Sequence, residues 1–191
     1  MVGGYRFDAN QGILVQLESE IPVVDEVDVL VAGAGVAGLG GAVGAGRTGA
    51  KTLLIEGQGF IGGVATASFM NLWTLPHQYV NGIAREIYDR LGQRKGAILG
   101  KAVPFHLEAF KTLSLELLEE ASVELLFYTW AADVIKEGNR VVGLVVQNKS
   151  GRQAILAKCV VDTTGDAEVS ARSKFLSLSL YHLFANIASP V

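Results

Sequence analysis

The sequence has few of the features that mark a disulfide-bonded, nucleic-acid-binding or exported protein. Its 191 residues include a single cysteine, Cys159, so no disulfide can form within the chain. Only 18% of the residues are charged and the formal net charge is −3, which provides no basic face for nucleic acid. No secretory signal is visible, because no basic segment is followed by an apolar run. The single cysteine fits a reducing compartment. We therefore expect a cytoplasmic protein with one sizeable core.

Charge is also absent from one long stretch near the N-terminus. The eighteen residues from Val29 to Gly46 carry no charge, and an uncharged stretch of this length raises the question of a membrane span. Seven of those eighteen residues are glycine, which is a poor helix former. The stretch is better explained as a strand, a glycine loop and a helix of small residues, so we expect no membrane span.

The glycine loop has the pattern of a dinucleotide-binding turn. An apolar strand, "VDVLVAG", leads into a G-x-G-x-x-G motif, which is followed by a small-residue helix and by a second strand, "KTLLIE". Gly33 permits the tight turn, Gly35 leaves room for a pyrophosphate, and Gly38 lets helix and strand pack closely. Free N–H groups at the start of the helix would bind the phosphates. The predicted phosphate-binding residues are Gly33, Gly35, Val36, Ala37 and Gly38.

An acidic residue ends the second strand. Glu56 follows Gly33 by 23 residues, close to the spacing of the carboxylate that binds ribose hydroxyls. It argues against a cofactor with a 2′-phosphate but does not distinguish NAD from FAD. A βαβ unit without any ligand remains the structural alternative.

The remaining sequence predicts the rest of an α/β fold. Two helical segments are followed by three strand-like segments: "VELLFYTWAADVIKEG", "NRVVGLVVQNKSG" and "RQAILAKCVVDTTGD". Apolar continuity predicts a parallel sheet with residues 27–32 at its centre, flanked by the "KTLLIE" and "CVVDTT" strands. Alternation of apolar and polar residues predicts a separate small antiparallel meander.

These segments, in this order, resemble the FAD-dependent oxidoreductases of the glutathione-reductase structural class. The resemblance covers about residues 27–173 and is carried by "DVLVAGAGVAGLGGAVGAGRTGAKTLLIE", "GFIGGVATAS", "GIAREIYDRL", the meander and "VVDTTGDAEVSARS". It is closest to the bacterial group called the FAD-dependent oxidoreductase family. It implies a Rossmann-like FAD-binding domain with a parallel sheet and a β-meander. It also implies further cofactor contacts at Gly62, Gly63, Thr66, Ala131, Thr164, Gly165 and Asp166.

The flavin performs the redox chemistry in such enzymes, and the sequence offers few catalytic side chains of its own. His77 is a weak candidate for a proton donor, against the simpler interpretation of a solvent-facing loop histidine. We expect His106 to be a surface or capping residue, Cys159 to be a buried apolar residue, and Glu116–Glu120 to be a solvated helix face. No C-x-x-C motif and no cluster with metal-ligand spacing occurs. Three loop residues could line a pocket or pack in the core: Asn71, Trp73 and Tyr79.

The similarity ends near Ser173, where such enzymes continue much further. We therefore divide the chain into an N-terminal extension (1–26), an incomplete FAD-binding domain (27–173) and a divergent apolar tail (174–191). Three functions stay open: an FAD-dependent oxidoreductase or its N-terminal portion, a nucleotide-binding remnant without catalysis, and an NAD-linked dehydrogenase. The substrate is an unknown small molecule. We expect the chain alone to bind FAD weakly, to catalyse little, and to self-associate through uncovered core surface.

Overall fold

The computed structural model describes residues 5–8, 11, 13–16 and 20–174 of the chain. The predicted tail beyond residue 174 and much of the predicted extension lie outside these residues. Within the extension, strand β1 (Tyr5–Asp8) pairs with strand β2 (Ile13–Gln16) in an antiparallel hairpin.

After this hairpin, strands and helices of the described chain alternate in part as far as the helix at Leu107–Glu120, and four consecutive strands and a short helix follow. The further strands are β3 (Val23–Ala32), β4 (Thr52–Ile55), β5 (Leu72–Trp73), β6 (Val103–Pro104), β7 (Glu124–Leu126), β8 (Trp130–Glu137), β9 (Arg140–Asn148) and β10 (Gly151–Asp162). The helices are α1 (Val36–Arg47), α2 (Val64–Ala67), α3 (Gly82–Gln93), α4 (Leu107–Glu120) and α5 (Glu168–Ser173), with a short 3₁₀ turn at His77–Tyr79. None of the helices in this described part is long and apolar enough to cross a membrane.

A six-stranded sheet organises the fold, in the order β7-β4-β3-β10-β9-β8. The first four strands are parallel, and β9 and β8 are antiparallel to their neighbours. Leu30 of β3 lies in register with Leu53 of β4 and with Val160 of β10. The prediction that β3 lies centrally between these two strands is confirmed. Because carboxyl ends of parallel strands meet at one edge, the loops after β3, β4 and β10 lie together.

The antiparallel meander exists, but the prediction that it is separate from the parallel sheet is wrong. The twelve-residue strand β10 pairs with β9 along its first half and with β3 along most of its length. Strand β10 therefore belongs both to the parallel part and to the antiparallel part of one sheet. The predicted strand "VELLFYTWAADVIKEG" also divides, into β7 at one sheet edge and β8 at the other. The break contains Tyr128, whose φ of 53° ends the extended conformation.

Two apolar layers cover the sheet. On one side α1, α3 and α4 pack on Val31 and Leu54, and the buried side chains include Leu39, Leu91, Phe110, Leu113 and Leu117. On the other side the layer contains Leu30, Leu53, Ile55, Leu144 and Ile155. Apolar burial on both faces explains why β3 and β4 are continuous hydrophobic runs in the sequence.

Ion pairs link the outer faces of the three long helices. Arg90 of α3 donates to Glu120 of α4 at 2.6 Å and to Glu86 at 3.3 Å, and Glu120, followed by Glu86, raises the pKa of Arg90. Arg94 pairs with Glu116 at 2.7 Å. The prediction of a solvated helix face at Glu116–Glu120 is confirmed, because Glu119 and Glu120 are exposed and Glu116 is partly exposed. Basic residues of α3 pair with Glu116 and Glu120 across this face. Such exposed pairs contribute about 0–1 kcal/mol each.

Candidate functional site

The glycine loop follows β3 and leads directly into α1. Gly33 has a φ of +99°, and a Cβ at this position would lie 2.6 Å from the carbonyl oxygen of Thr163. Its N–H donates to the carbonyl of Ile55 at 2.8 Å. Only glycine satisfies both the left-handed conformation and this close approach. Gly33 therefore makes the tight turn that the sequence predicts.

The other two glycines of the motif differ in their surroundings. Gly35 precedes α1 in an extended conformation, with φ −69° and ψ −176°, and a Cβ there would meet only the Cα of Gly63, at 4.0 Å. A Cβ on Gly38 would overlap the carbonyl of Gly33 and lie 2.8 Å from Oγ1 of Thr163. Gly35 thus faces open space, whereas Gly38 lets helix and strand pack closely.

The carboxylate of Glu56 is held in place by the backbone on both sides. Its Oε2 accepts a hydrogen bond from the N–H of Ala34 in the glycine loop at 2.7 Å, and Oε1 accepts one from the N–H of Gln58 at 2.7 Å. The backbone of Glu56 is itself bonded to Leu126 and Thr129, both at 2.9 Å. The carboxylate is therefore fixed before any ligand binds.

Two cavities meet at Glu56. The Glu56 cavity has a volume of about 340 Å³ and is lined by Ala32, Gly33, Ile55, Glu56, Gly57, Gln58, Thr129, Trp130, Ala131, Thr164, Asp166 and Glu168. The glycine-loop cavity has a volume of about 370 Å³ and is lined by Gly33, Gly35, Val36, Ala37, Glu56, Gly63, Val64, Thr163, Thr164 and Gly165. Because Gly33, Glu56 and Thr164 line both, one extended ligand can occupy the two together.

Most of the predicted cofactor-binding residues line these cavities. They are Gly33, Gly35, Val36, Ala37, Glu56, Gly63, Ala131, Thr164, Gly165 and Asp166. Gly38, Gly62 and Thr66 line neither cavity. Gly62 donates its N–H to Ala34 at 2.8 Å, and the buried hydroxyl of Thr66 donates to the carbonyl of Ile61 at 2.8 Å. Gly38, Gly62 and Thr66 therefore stabilise the glycine loop at residues 33–38 and the turn at residues 62–63 without lining either cavity.

Several lining residues were not predicted from the sequence, and Thr163 is the most informative of them. Its N–H donates to the carbonyl of Ala32 at 3.0 Å, and its Oγ1 lies 2.8 Å from the carbonyl oxygens of both Ala32 and Gly33. Thr163 thereby joins the ends of β3 and β10. Its position beside Thr164 in "VVDTTGD" was the signal that could have identified it. The other lining residues that were not predicted are Ala32, Ile55, Gly57, Gln58, Val64, Thr129, Trp130 and Glu168.

Asp162 orders the loop that follows β10. Its carboxylate accepts hydrogen bonds from the hydroxyl of Thr164 at 2.8 Å and from the N–H of Ser170 at 2.8 Å. Burial by itself raises the pKa of Asp162, but the hydrogen bonds from Ser170 and Thr164 outweigh burial and lower the pKa overall. The loop carrying Thr164, Gly165 and Asp166 is therefore anchored on an ionised carboxylate.

The two cavities differ in electrostatic character. The Glu56 cavity is lined by three carboxylates, those of Glu56, Asp166 and Glu168, and by no lysine or arginine. The glycine-loop cavity adjoins the first turn of α1, which contains no acidic residue. The first N–H groups of a helix have no helical acceptor, and the helix dipole favours an anion there. Phosphates are therefore favoured at α1, and a hydroxyl-bearing sugar is favoured at Glu56.

The weak catalytic candidate is not brought to these cavities. His77 lines neither of them, and its Nε2 lies 2.6 Å from Oδ1 of Asp89. The hydrogen bond from His77 is the largest of the effects that lower the pKa of Asp89. Trp73 stacks on Tyr88 and Phe105 at ring-centroid distances of 4.3 and 4.0 Å, so it is a packing residue. The proposed catalytic role of His77 stays a prediction.

Three other residues complete the comparison with the sequence. Asn71 donates to the carbonyl of Phe105 at 3.3 Å, and Tyr79 is exposed. His106 is an exposed residue at the N-cap of α4 with no side-chain cap bond, as predicted for a surface position.

The prediction that Cys159 is buried is wrong, because its side chain is exposed. Its partner in the sheet, Val29, is also only partly buried, so an apolar run here did not imply full cover. Across the part of the chain that the structure describes, no group of three His, Cys, Asp or Glu side chains could hold a metal ion.

The fold and the two cavities together define a dinucleotide-binding α/β domain. The two cavities fit the adenosine diphosphate of such a cofactor, because Gly35 leaves the space before α1 open and Glu56 offers a fixed carboxylate beside that space. The family described as FAD dependent oxidoreductase matches residues 28–176 of this chain. The chain belongs to this family, and FAD is its cofactor.

Solved structures share the fold. The chain is 26% identical to the THI4 protein of Thermovibrio ammonificans, with a TM-score of 0.60 over 80% of this chain and 63% of that one. It is 20% identical to a geranylgeranyl bacteriochlorophyll reductase-like protein of Thermoplasma acidophilum, with a TM-score of 0.62, covering 80% and 43% of the two chains. A myxobacterial chondrochloren halogenase, a variant of FAD-dependent halogenases, is 21% identical with a TM-score of 0.58, covering 78% and 40%.

The chain therefore spans less than two thirds of the length of each of these three structures. A search of curated proteins finds no match.

Proposed function

We propose that this chain forms the adenosine-diphosphate half of the FAD site of an oxidoreductase. The observation that carries the proposal is the Glu56 carboxylate, held by two backbone N–H groups where the two cavities meet. A carboxylate has about four lone-pair sites, so two backbone bonds leave acceptor capacity for ribose hydroxyls. Glu56 would accept from the adenosine ribose, and a 2′-phosphate would be repelled there.

The glycine-loop cavity would hold the pyrophosphate. Gly35 presents backbone without a side chain, and Val36 and Ala37 begin α1, where N–H groups have no helical acceptor. Gly63 and Gly165 line the same cavity and also carry no side chain. Such a surface allows close approach of a doubly charged bridge, whose charge the helix dipole stabilises.

FAD, when bound, supplies hydride and electron transfer. The described residues of this chain do other work: they bind the nucleotide, orient it and fix its position. The lining of the two cavities contains no histidine, cysteine or lysine.

A second candidate function is nucleotide binding without catalysis. It is supported by the position of His77, which pairs with Asp89 and lines neither cavity.

The apolar side chains of Phe69, Met70, Leu75, Tyr79 and Ile98 are each more than half exposed. We propose that these exposed apolar side chains make the isolated chain self-associate; a concentration-independent monomer mass by light scattering would contradict that.

Calorimetric titration separates these proposals. ADP and FAD should bind the purified chain, whereas FMN, which lacks adenosine, should not. Equal binding of FMN, or failure of ADP to bind, would reject the adenosine-diphosphate assignment. With a chemical reductant as electron donor, a chain that holds FAD and passes the electrons to an artificial acceptor in repeated turnovers is an oxidoreductase, and one that binds FAD without turnover supports the second candidate.

A further inference from the structure

Trp130 is a large aromatic side chain left exposed at a ligand cavity. It is the first residue of β8, it is 53% exposed, and it lines the Glu56 cavity. Aromatic residues usually bury most of their surface. No packing role within the described chain accounts for this exposure.

The indole of Trp130 rests on the bare backbone of Gly57. A Cβ at Gly57 would come closest to Nε1 of the indole and would lie 2.8 Å from Cδ1, which is closer than real Cβ atoms approach. Glycine at position 57 therefore leaves space for the ring immediately after Glu56.

Backbone hydrogen bonds hold Trp130 at a fixed place relative to Glu56. Glu56 donates its N–H to Leu126 at 2.9 Å, Thr129 donates to Glu56 at 2.9 Å, and Tyr128 donates to Gln58 at 3.2 Å. Three bonds thus tie the segment before Trp130 to the segment around Glu56. The ring and the carboxylate line one cavity as a preorganised pair.

We infer that Trp130 stacks on the adenine base of the bound cofactor, and that Gly57 makes this stacking geometry available. This inference rests on the proposed adenosine site. A base attached to a ribose at Glu56 lies in the same cavity as the indole, and that cavity contains no cation that would draw a phosphate into it. Stacking contributes affinity without choosing between bases, because every base has a π-face.

ADP titrations of three variants test the inference. Trp130→Ala should weaken ADP binding by about 5- to 150-fold, the range that loss of one base–aromatic stack gives, whereas Trp130→Phe should keep most of the affinity. Tyr79→Ala is the control: Tyr79 is an aromatic residue that is 64% exposed and lines neither cavity. This control should bind ADP as the unmodified chain does.

Fluorescence gives an independent readout, because the chain has only two tryptophans. ADP should quench the unmodified chain and leave Trp130→Phe unchanged, since Trp73 is stacked on Tyr88 and Phe105. Unaltered ADP affinity in Trp130→Ala, or quenching that persists in Trp130→Phe, would overturn the inference alone. Failure of the unmodified chain to bind ADP would overturn the proposed function as well.

Discussion

Replacing Gly35 by valine separates nucleotide binding from folding. The backbone of Gly35 is extended, with φ −69° and ψ −176°, so any residue can adopt it. A Cβ there would meet only Gly63, at 4.0 Å. We therefore expect Gly35→Val to lower the free energy of unfolding by no more than about 2 kcal/mol, the cost of replacing a favourable N-cap residue.

The two methyl groups of a valine at position 35 would lie in the glycine-loop cavity and displace the pyrophosphate from the first turn of α1. Each charge-assisted hydrogen bond contributes roughly 1.5–3 kcal/mol. Loss of two such bonds gives about 3–6 kcal/mol, so ADP affinity should fall at least about a hundredfold. Calorimetric titration measures the binding, and thermal unfolding measures the fold.

Two other glycines supply controls for this experiment. A Cβ at Gly40, within α1, meets nothing within 4 Å, so Gly40→Ala should keep ADP affinity and stabilise the helix by up to about 1 kcal/mol. Gly38→Ala should destabilise the domain, because its Cβ would overlap the carbonyl of Gly33. Unchanged ADP affinity in Gly35→Val, with the fold intact, would refute the assignment of the glycine loop to phosphates.

Three further predictions concern neighbouring residues. Glu56→Ala should weaken ADP binding by about 1.5–3 kcal/mol and lower the free energy of unfolding by about 1–3 kcal/mol, because the N–H groups of Ala34 and Gln58 lose their acceptor; calorimetry showing a binding loss well below 1 kcal/mol would place the ribose elsewhere. The pKa of Asp162 is lowered from its ordinary value of 3.8, so the ionised carboxylate stabilises the fold at pH values above 3.8. This stabilisation is lost as the pH falls through the lowered pKa. Urea unfolding of Asp162→Asn at several pH values should therefore show a weaker loss of stability in acid than the original chain shows, and parallel curves would contradict this. Ala167 has a φ of 56°, so Ala167→Gly should raise the free energy of unfolding by up to about 1 kcal/mol, and a lower melting temperature would count against backbone strain there.

Local patterns predicted the centre of the fold and of the site. Strand β3, the tight turn at Gly33, the small-residue helix α1 and the position of Glu56 follow from residue types at fixed spacing. Ten predicted residues line the two cavities because consecutive motifs meet where parallel strands end.

The remaining features depend on long-range contacts that spacing does not encode. The break between β7 and β8 follows from the left-handed conformation of Tyr128 and its bond to Gln58. Strand β10 is one uninterrupted strand, "GRQAILAKCVVD", and its residue types do not reveal that it pairs with two strands in different directions. The exposure of Cys159 and the packing of Trp130 on Gly57 likewise depend on distant elements.

The most direct test of the central claim is a crystal structure of this chain with ADP bound. The proposed function predicts a ribose hydroxyl donating to the carboxylate of Glu56 and the diphosphate accepting from the N–H groups of Val36 and Ala37. The adenine would lie beside Trp130 and Ala131. Density for ADP outside the two cavities, or with the diphosphate at Glu56 and the ribose at α1, would contradict the assignment.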